Sequence, residues 1–287
     1  EFTFYPTRQP ASPILDQPAI EQAKACGWGN QLSVKWKIPQ NASPQLGYKI
    51  EAYADSDAQG KPLTIWEDAA PHIRTKRLDT KTPTQSVKLT VTDIFDQQIE
   101  VVIPVEKAPA AKQPISLPST SEGLSYTFYE LSNDKIWKKL PDFLTLEPVK
   151  QGYVKTLDDT VREDRSTGHA IRYQGYLRVP ADGLYVLSAG TSDGSRLYID
   201  GELIADNDGI HSTSQSLYAL SLNQGLSKFE LEYFKGADNG NSRQSTSARV
   251  ALAWEGPGFE MRPLTRSDFR CKPGTDVPSV VLSLKNH

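Results

Sequence analysis

The chain has 287 residues, enough for two domains of ordinary size, and its 32 basic and 35 acidic residues give a net charge of −3. This near balance, without a long run of either sign, argues against the basic face or stripe that nucleic-acid binding usually requires. No apolar stretch approaches the roughly 18 to 20 residues of a membrane span. We therefore predict neither a nucleic-acid partner nor a membrane span.

The composition favours an extracellular β-rich protein over a helical enzyme, with 12 Tyr, five Trp, 20 Pro and 19 Gly against one Met. Only Cys26 and Cys271 are present, so a dense disulfide framework is excluded, while a single bridge and two unrelated thiols both stay open. The chain begins at Glu1 without a charged-then-apolar leader, which fits a cytoplasmic protein or one whose signal peptide has been removed. We expect a fragment of a larger protein that is secreted, displayed on the cell surface or periplasmic.

The first 30 residues are Pro-rich and irregular and offer at most one short edge strand. Alternation begins in LSVKWKIP, where Leu32, Val34 and Trp36 share one face, and it continues in GYKIEAYA. PLTIW follows, and then SVKLTVTDIFDQQIEVVIPV, which predicts a hairpin that turns near residues 95–97. About six short strands without a convincing helix predict a β-sandwich.

LSVKWKIP followed by GYKIEAYA resembles the second and third strands of a fibronectin type III or similar immunoglobulin-like module. The resemblance covers residues 14–106, leaves 1–13 as an N-terminal extension, and implies that Trp36 lies in the core. Residues 107–120 are rich in Pro, Ala and Ser and are predicted to be a linker of some stiffness.

The second half again consists of short apolar runs that each end in a turn residue, which predicts another sandwich or barrel of about eight to ten strands. Pro180 to Gly183 and Asp200-Gly201 carry tight-turn chemistry, and each predicts a β-hairpin. Ser192 lies in a Gly-x-Ser-x-Gly match to a nucleophile elbow, but the next segment alternates like a strand where that motif requires a helix. No catalytic residue is therefore assigned.

Polar side chains cluster at the ends of the Asp200-Gly201 hairpin, where residues 12 to 15 apart in sequence converge. The candidate ligand-binding residues there are Asp193, Asp206, Asn207, Asp208 and His211. Carboxylate and amide oxygens suit calcium, so Asp193, Asp206 and Asp208 are the candidate metal ligands. The alternatives are that these are ordinary turn residues, or that Asp193 holds the loop or accepts sugar hydroxyls directly.

A second polar segment, KGADNGNSRQSTS, separates two strands and is the kind of loop that carries binding residues on a rigid scaffold. Its candidates are Asp238, Asn239, Asn241 and Arg243, and a loop without function fits the composition equally well. Tyr233 and Trp254 lie on strands, where aromatic side chains pack more often than they stack on sugars.

Five motifs in this order resemble the PA14 domain: GLSYTFYE, LEPVKQG, AIRYQGYLRVPADGLYVLSAGTSDGSRLYIDGELIADNDGIH, ALSLNQGLSKFELEYF and VALAWEGPG. The resemblance spans residues 121–268 and leaves 269–287 as a C-terminal tail. It implies a β-barrel-like sandwich and carbohydrate binding at loops on one end, sometimes through calcium. Calcium-binding lectin members carry an Asp-Asp pair where this chain has Ser192-Asp193, so a bound Ca²⁺ stays open.

Together these features predict an all-β chain of two tandem β-sandwich domains, the first immunoglobulin-like and the second a PA14 domain. The expected function is non-catalytic carbohydrate binding in the accessory region of a secreted bacterial polysaccharide-acting protein, covalently linked to a catalytic domain. A glycoside hydrolase fragment with its own activity is one alternative. A structural spacer or protein-docking module without sugar affinity is the other.

Overall fold

The structure is a computed structural model that describes residues 18–70, 72, 74–131, 137–157, 160–162, 165, 167–211, 214–236 and 250–272. Within these residues the secondary structure is almost entirely β, with only single turns of 3-10 helix. The chain divides into two compact units, and the boundary follows Ala108. The predicted all-β fold class is confirmed.

The first unit is a seven-stranded β structure with the order β4-β3-β6-β7-β1-β2-β5. Its strands are β1 Glu21–Trp28, β2 Gln31–Lys37, β3 Gln45–Tyr53, β4 Thr64–Asp68, β5 Thr75–Asp79, β6 Ser86–Asp93 and β7 Gln98–Lys107. Neighbouring strands are antiparallel except β1 and β7, which pair in parallel. The assignment of this unit to a fibronectin type III or immunoglobulin-like module stays a prediction.

Trp36 lies at the centre of the core of the first unit, as the alternation of β2 predicts. Its side chain is fully buried, and its ring lies 5.1 Å from that of Tyr48 between centroids. The indole Nε1 donates to Gln45 Oε1 at 3.3 Å, so the polar edge of the ring keeps a partner when it leaves water. Trp36 is therefore a packing residue.

Strand β1 corrects the expectation that the first 30 residues hold at most a short edge strand. It lies inside the sheet, antiparallel to β2 and parallel to β7. Four of its eight residues are partly buried and three are exposed, and Ala25 is the single buried one. Hydrogen bonds between backbones, which leave no pattern in the sequence, hold such a strand in place.

The second unit contains two sheets that enclose a shared aromatic and aliphatic core. One sheet has eight strands in the order β10-β9-β11-β16-β13-β14, with β19 paired to β11 and β8, and the other has the order β15-β12-β17-β18. The strands are β8 Ser121–Glu122, β9 Leu124–Glu130, β10 Lys150–Val154, β11 His169–Val179, β12 Gly183–Thr191, β13 Ser195–Ile199, β14 Glu202–Asn207, β15 Ser214–Leu222, β16 Gly225–Lys235, β17 Val250–Gly256, β18 Phe259–Pro263 and β19 Phe269–Cys271.

The turn from Pro180 to Gly183 does not close a hairpin, contrary to the prediction. Strand β11 pairs with β9, β16 and β19 in the eight-stranded sheet, whereas β12 pairs with β15 and β17 in the four-stranded sheet. The turn therefore carries the chain from one sheet to the other, and Tyr185 Oη donates to Ala181 O at 2.7 Å to fix it. Local turn chemistry sets the reversal of direction but not the sheet that the next strand joins.

The Asp200-Gly201 turn does close the predicted hairpin, between β13 and β14. Asp200 has φ 52° and Gly201 has φ 78°, the two left-handed residues of a type I′ turn. Asp200 Oδ1 also accepts a bond from Lys228 N at 2.6 Å, which ties the turn to β16. Asp200 is therefore a turn former.

Gly201→Ala is expected to lower the free energy of unfolding by about 1 to 2 kcal/mol, because an L side chain is strained at this φ. No atom lies within 4 Å of a Cβ built at this position, so the effect would come from backbone conformation alone. Urea unfolding measures it, with Asp200→Asn as a control because asparagine tolerates the left-handed region. A loss below about 0.3 kcal/mol would contradict the assigned turn type.

The segment predicted as a linker contacts the second unit. Lys112 Nζ lies 2.8 Å from Glu202 Oε1, and Ile115 N donates to Leu226 O at 2.7 Å. At the other end, β19 belongs to the eight-stranded sheet although it falls in the predicted tail, and Phe269 is fully buried. Cys271, buried in the same strand, is a thiol, as is Cys26 in the first unit.

Candidate functional site

Asp193 lies in the turn between β12 and β13, at the end of the Asp200-Gly201 hairpin, and has φ 63°. Its backbone N donates to His211 O at 3.0 Å, and His211 N donates back to Asp193 Oδ1 at 3.1 Å. The two ends of the hairpin therefore meet, as the sequence predicts, and Asp193 is the residue that joins them.

The carboxylate of Asp193 is buried and forms an ion pair with Lys235 at the end of β16. Oδ2 lies 2.9 Å from Lys235 Nζ and accepts a further bond from Gly236 N at 3.1 Å. Asp193 is 2% exposed and Lys235 4% exposed. This buried ion pair, which we call the Asp193 clamp, joins the turn between β12 and β13 to the end of β16. Because the carboxylate is buried and already accepts two backbone hydrogen bonds, Asp193 is not an accessible ligand for a sugar.

Asp206 and Asp208 flank Arg196, which the sequence analysis did not single out. Arg196 Nε lies 3.4 Å from Asp206 Oδ2, and its Nη2 lies 3.3 Å from Asp208 Oδ2. Leu140 N donates to Asp208 Oδ1 at 2.6 Å, and only 14% of the Asp208 side chain is exposed against 46% for Asp206. Asp206 and Arg196 are therefore the accessible members of this group, and Asp208 anchors the segment around Leu140.

Asn207, the last residue of β14, and His211 border the loop that follows this strand. Asn207 Nδ2 donates to Thr191 Oγ1 at 3.0 Å, and His211 Nε2 lies 3.1 Å from Asn207 O. Both residues are half-buried. These bonds tie the end of β14 to β12 and the His211 ring to the Asn207 backbone, while both side chains stay partly exposed to solvent.

The described residues do not fit the calcium site predicted around Asp193, Asp206 and Asp208. Calcium takes about six to eight oxygen ligands. The Asp193 oxygens are occupied by Lys235 and two backbone N–H groups, and the other two carboxylates face Arg196. Among the residues that the structure describes, no group of three or more His, Cys, Asp or Glu side chains is placed to hold a metal ion.

Three other side chains that were weighed as functional lie inside the second unit. Ser192 is fully buried, lies 3.4 Å from Tyr233 Oη through its Oγ, and is followed by strand β13, which excludes a nucleophile elbow. Tyr233 and Trp254 are also fully buried in the core. The packing interpretation of both aromatic residues is confirmed.

The candidates of the second polar loop, Asp238, Asn239, Asn241 and Arg243, lie outside the described residues. Their assignment as binding residues stays a prediction. The structure places the flanking strands β16 and β17, which end and begin at Lys235 and Val250.

Comparison with protein-family models matches residues 160–260 to the PA14 domain, which confirms the predicted resemblance over these residues. The matched range contains β11 to β17, and with them the Asp193 clamp and the Arg196 group. No curated protein sequence matches the chain. No helix in the described part of the chain has the length and apolarity to cross a membrane.

Solved structures that match the chain have low sequence identity to it and TM-scores below 0.5. A PA14 domain of the MpAFP antifreeze protein is 15% identical, with 58% of this chain and 100% of that chain covered at a TM-score of 0.42. An anti-sigma factor domain-containing protein from Clostridium clariflavum is 18% identical, with 88% and 92% covered at 0.41. The epithelial adhesin 9 A domain from Candida glabrata, solved in complex with Galβ1-4GlcNAc, is 10% identical, with 59% and 99% covered at 0.44.

Proposed function

We propose that the chain is a non-catalytic carbohydrate-binding region in which the second unit holds the glycan. The support is the PA14 match over residues 160–260 together with the exposed polar group of Asp206 and Arg196 at one end of the eight-stranded sheet. We infer further that the parent is a secreted, cell-surface or periplasmic bacterial protein that acts on polysaccharide through a linked catalytic domain. In this proposal the first unit is a fibronectin type III or immunoglobulin-like spacer, which the parallel pairing of β1 with β7 in a seven-stranded unit supports.

The proposed recognition uses planar polar groups at the open end of the β13–β14 hairpin. Asp206 on β14 accepts hydrogen bonds from sugar hydroxyls, Arg196 on β13 donates them, and Asn207 and His211 border the loop that follows β14. The buried pair of Asp193 and Lys235 holds the loop before the ligand arrives, so less ordering free energy is lost on binding. Asp238, Asn239, Asn241 and Arg243 are proposed to extend this surface. A single small site of this kind binds weakly and becomes effective by tethering a linked partner near polysaccharide.

Asp206→Asn is expected to weaken binding to the preferred glycan about tenfold, because it removes the charge from an exposed acceptor while keeping its shape. A glycan array identifies the ligand, and titration calorimetry on the full chain measures the Kd. Glu202→Gln, an exposed residue on the same strand, is the matched control and is expected to leave the Kd unchanged. An Asp206→Asn variant that binds as tightly as the control would contradict this site.

Titrations with added calcium and with a chelator are expected to give the same Kd, because Lys235 already neutralises Asp193. Loss of binding in chelator would assign calcium to ligands other than the Asp193 carboxylate. Hydrolysis of a polysaccharide panel, abolished by substitution of one carboxylate pair, would favour the glycosidase alternative. An array without any bound glycan at millimolar concentration would favour the spacer or docking module.

A further inference from the structure

A cleft of about 480 Å³ lies on the outer face of the eight-stranded sheet, between the strands and the segment that carries Leu144. Its floor is a cross-strand row in which Arg172 on β11 lies opposite Glu232 on β16, and Glu232 lies opposite Arg196 on β13. Side chains two residues apart on a strand share a face, so Glu230 adds a second carboxylate to the same floor. The cleft residues come from three strands and one loop that are far apart in sequence.

The two carboxylates of the floor, Glu230 and Glu232, differ in the number and length of their hydrogen bonds and ion pairs. Arg172 binds Glu230 through Nη2 at 2.6 Å and Nε at 3.0 Å, and Gln174 Nε2 donates to the other Glu230 oxygen at 2.8 Å. The contacts of Glu232 are long, 4.0 Å to Arg172 Nε and 3.5 Å to Tyr198 Oη. Only 14% of the Glu232 side chain is exposed. Glu232 is thus a largely desolvated carboxylate with room for a strong donor.

The charge of the cleft favours a cation at this position. Asp142, Glu230 and Glu232 line it against two guanidinium groups, and one of these, Arg196, already faces Asp206 and Asp208 outside the floor. Burial raises the pKa of the Glu232 carboxyl, and the charge of Glu230 adds to the rise, while Arg172, Arg196 and the hydrogen bond from Tyr198 oppose it. A bound ammonium group would donate to Glu232 and offset both the desolvation penalty of the carboxylate and its repulsion from Glu230.

The opposite wall of the cleft, formed by residues 140–144, is apolar apart from Asp142. Leu144 is 89% exposed, an unusual state for a large aliphatic side chain, and Pro141 and Leu140 lie beside it. A ligand that presents C–H groups to this wall and polar groups to the floor would satisfy both surfaces. A pyranose ring presents C–H groups on its face and hydroxyl groups at its edge, so it can meet both surfaces. A simple inorganic cation has no apolar face.

Hydrolysis is not supported by the same geometry. A glycosidase needs two carboxylates that are both available to the scissile bond. Of the two carboxylates of the floor, Glu230 is bound by Arg172 and Gln174 on both of its oxygens, which leaves Glu232. Asp142, on the opposite wall, accepts a hydrogen bond from Leu144 N at 3.0 Å. The cleft is suited to holding a ligand.

We propose that this cleft binds a protonated amino sugar, with the ammonium group donating to Glu232, the hydroxyls meeting Arg172 and Tyr198, and the ring face packing on Leu144. The proposal rests on the proposed function and specifies its ligand class. It places the glycan on the face of the sheet, beside Asp206 on β14, and Arg196 contacts both the cleft and Asp206.

The test compares two oligosaccharides of equal length, a glucosamine oligomer and its fully N-acetylated counterpart, in which a neutral acetamido group replaces each ammonium group. The full chain is titrated with each at mildly acidic pH, where the amino groups are protonated. The glucosamine oligomer is expected to bind at least about tenfold more tightly, and Glu232→Gln is expected to remove that difference. Glu260→Gln, an exposed carboxylate on the other sheet, is the matched control and should preserve it.

Three results would overturn the proposal: equal affinity for the two oligomers, a preference that Glu232→Gln leaves intact, or equal affinity for free lysine, which has the ammonium without the ring. Leu144→Ser, a change at an exposed position, checks the ring contact independently of charge and should weaken binding of the glucosamine oligomer severalfold. Binding of neutral glycans that is sensitive to Asp206→Asn but lacks any preference for amines would refute this inference and leave the proposed function standing. Absence of binding to every glycan would refute both.

Discussion

Lys235→Met is expected to lower the free energy of unfolding of the second unit by about 3 to 5 kcal/mol, because it leaves the buried Asp193 carboxylate without its cation. Methionine retains most of the aliphatic stem, so the loss reports the charge rather than a cavity. Chemical unfolding is monitored by hydrogen exchange and mass spectrometry. Peptides from β12 and β16 report on the second unit and distinguish it from the first.

Lys228→Met is the matched control, since Lys228 lies on the same strand but is exposed, and its effect should stay within about 0.5 kcal/mol. In a double-mutant cycle, Asp193→Asn combined with Lys235→Met should cost less than the sum of the two single changes, because each already breaks the same pair. Equal effects of the two lysine substitutions would show that the clamp contributes little to stability.

His169 is expected to make the second unit lose stability as the pH falls from 6.5 to about 4. The side chain is fully enclosed, and burial, together with the charges of Arg162, Arg165 and Lys235, lowers its pKa from 6.5 to about 4. As the pH falls through this range, His169 is protonated in the unfolded chain but still neutral in the folded chain. Proton binding therefore stabilises the unfolded chain, and the free energy of unfolding decreases as the pH falls. The free energy of unfolding is expected to fall by about 3 kcal/mol once the pH is below the pKa of the folded state. No such loss is expected at pH values well above the pKa of the unfolded state.

His169→Phe should flatten this part of the pH profile, because phenylalanine cannot be protonated and can keep the stacking with Phe128, whose ring lies 5.7 Å away. Urea unfolding at several pH values measures the difference between the two proteins, which removes the contributions of all other titrating groups. His72→Gln, at an exposed position in the first unit, should keep the original profile. A His169→Phe variant with an unchanged slope would assign the acid sensitivity to other groups.

These two predictions concern the framework of the proposed site. The Asp193 clamp joins the turn after β12 to the end of β16, and His169 begins β11 beside it in the eight-stranded sheet. Loss of either is expected to loosen the end of β14, where Asp206 lies, and the segment that follows it. Binding measurements on these variants are therefore best made at neutral pH and well below the unfolding transition.

The sequence was sufficient where a structure depends on neighbours along the chain. Alternation in β2 and β3 predicted the strands and the buried Trp36, and Asp200-Gly201 predicted the hairpin, because side-chain periodicity and turn dihedrals are local properties. The same logic predicted that Asp193 would meet the residues near His211. It failed for β1, which has weak alternation, and for the Pro180 turn, which joins two sheets.

The chemistry of the candidate site was decided only by the tertiary structure. In the sequence, Asp193 is a plausible calcium ligand because it offers carboxylate oxygens near other acidic residues. In the structure, β16 brings Lys235 Nζ to 2.9 Å from Asp193 Oδ2, and both side chains are buried. Arg172, Glu232 and Arg196 form one row only because β11, β16 and β13 are neighbours in the sheet. The sequence by itself determined the all-β class of the chain and the resemblance of residues 160–260 to the PA14 domain. Which carboxylates are buried and which stay open to a ligand depends on contacts between strands remote in sequence, and only the fold specifies those contacts.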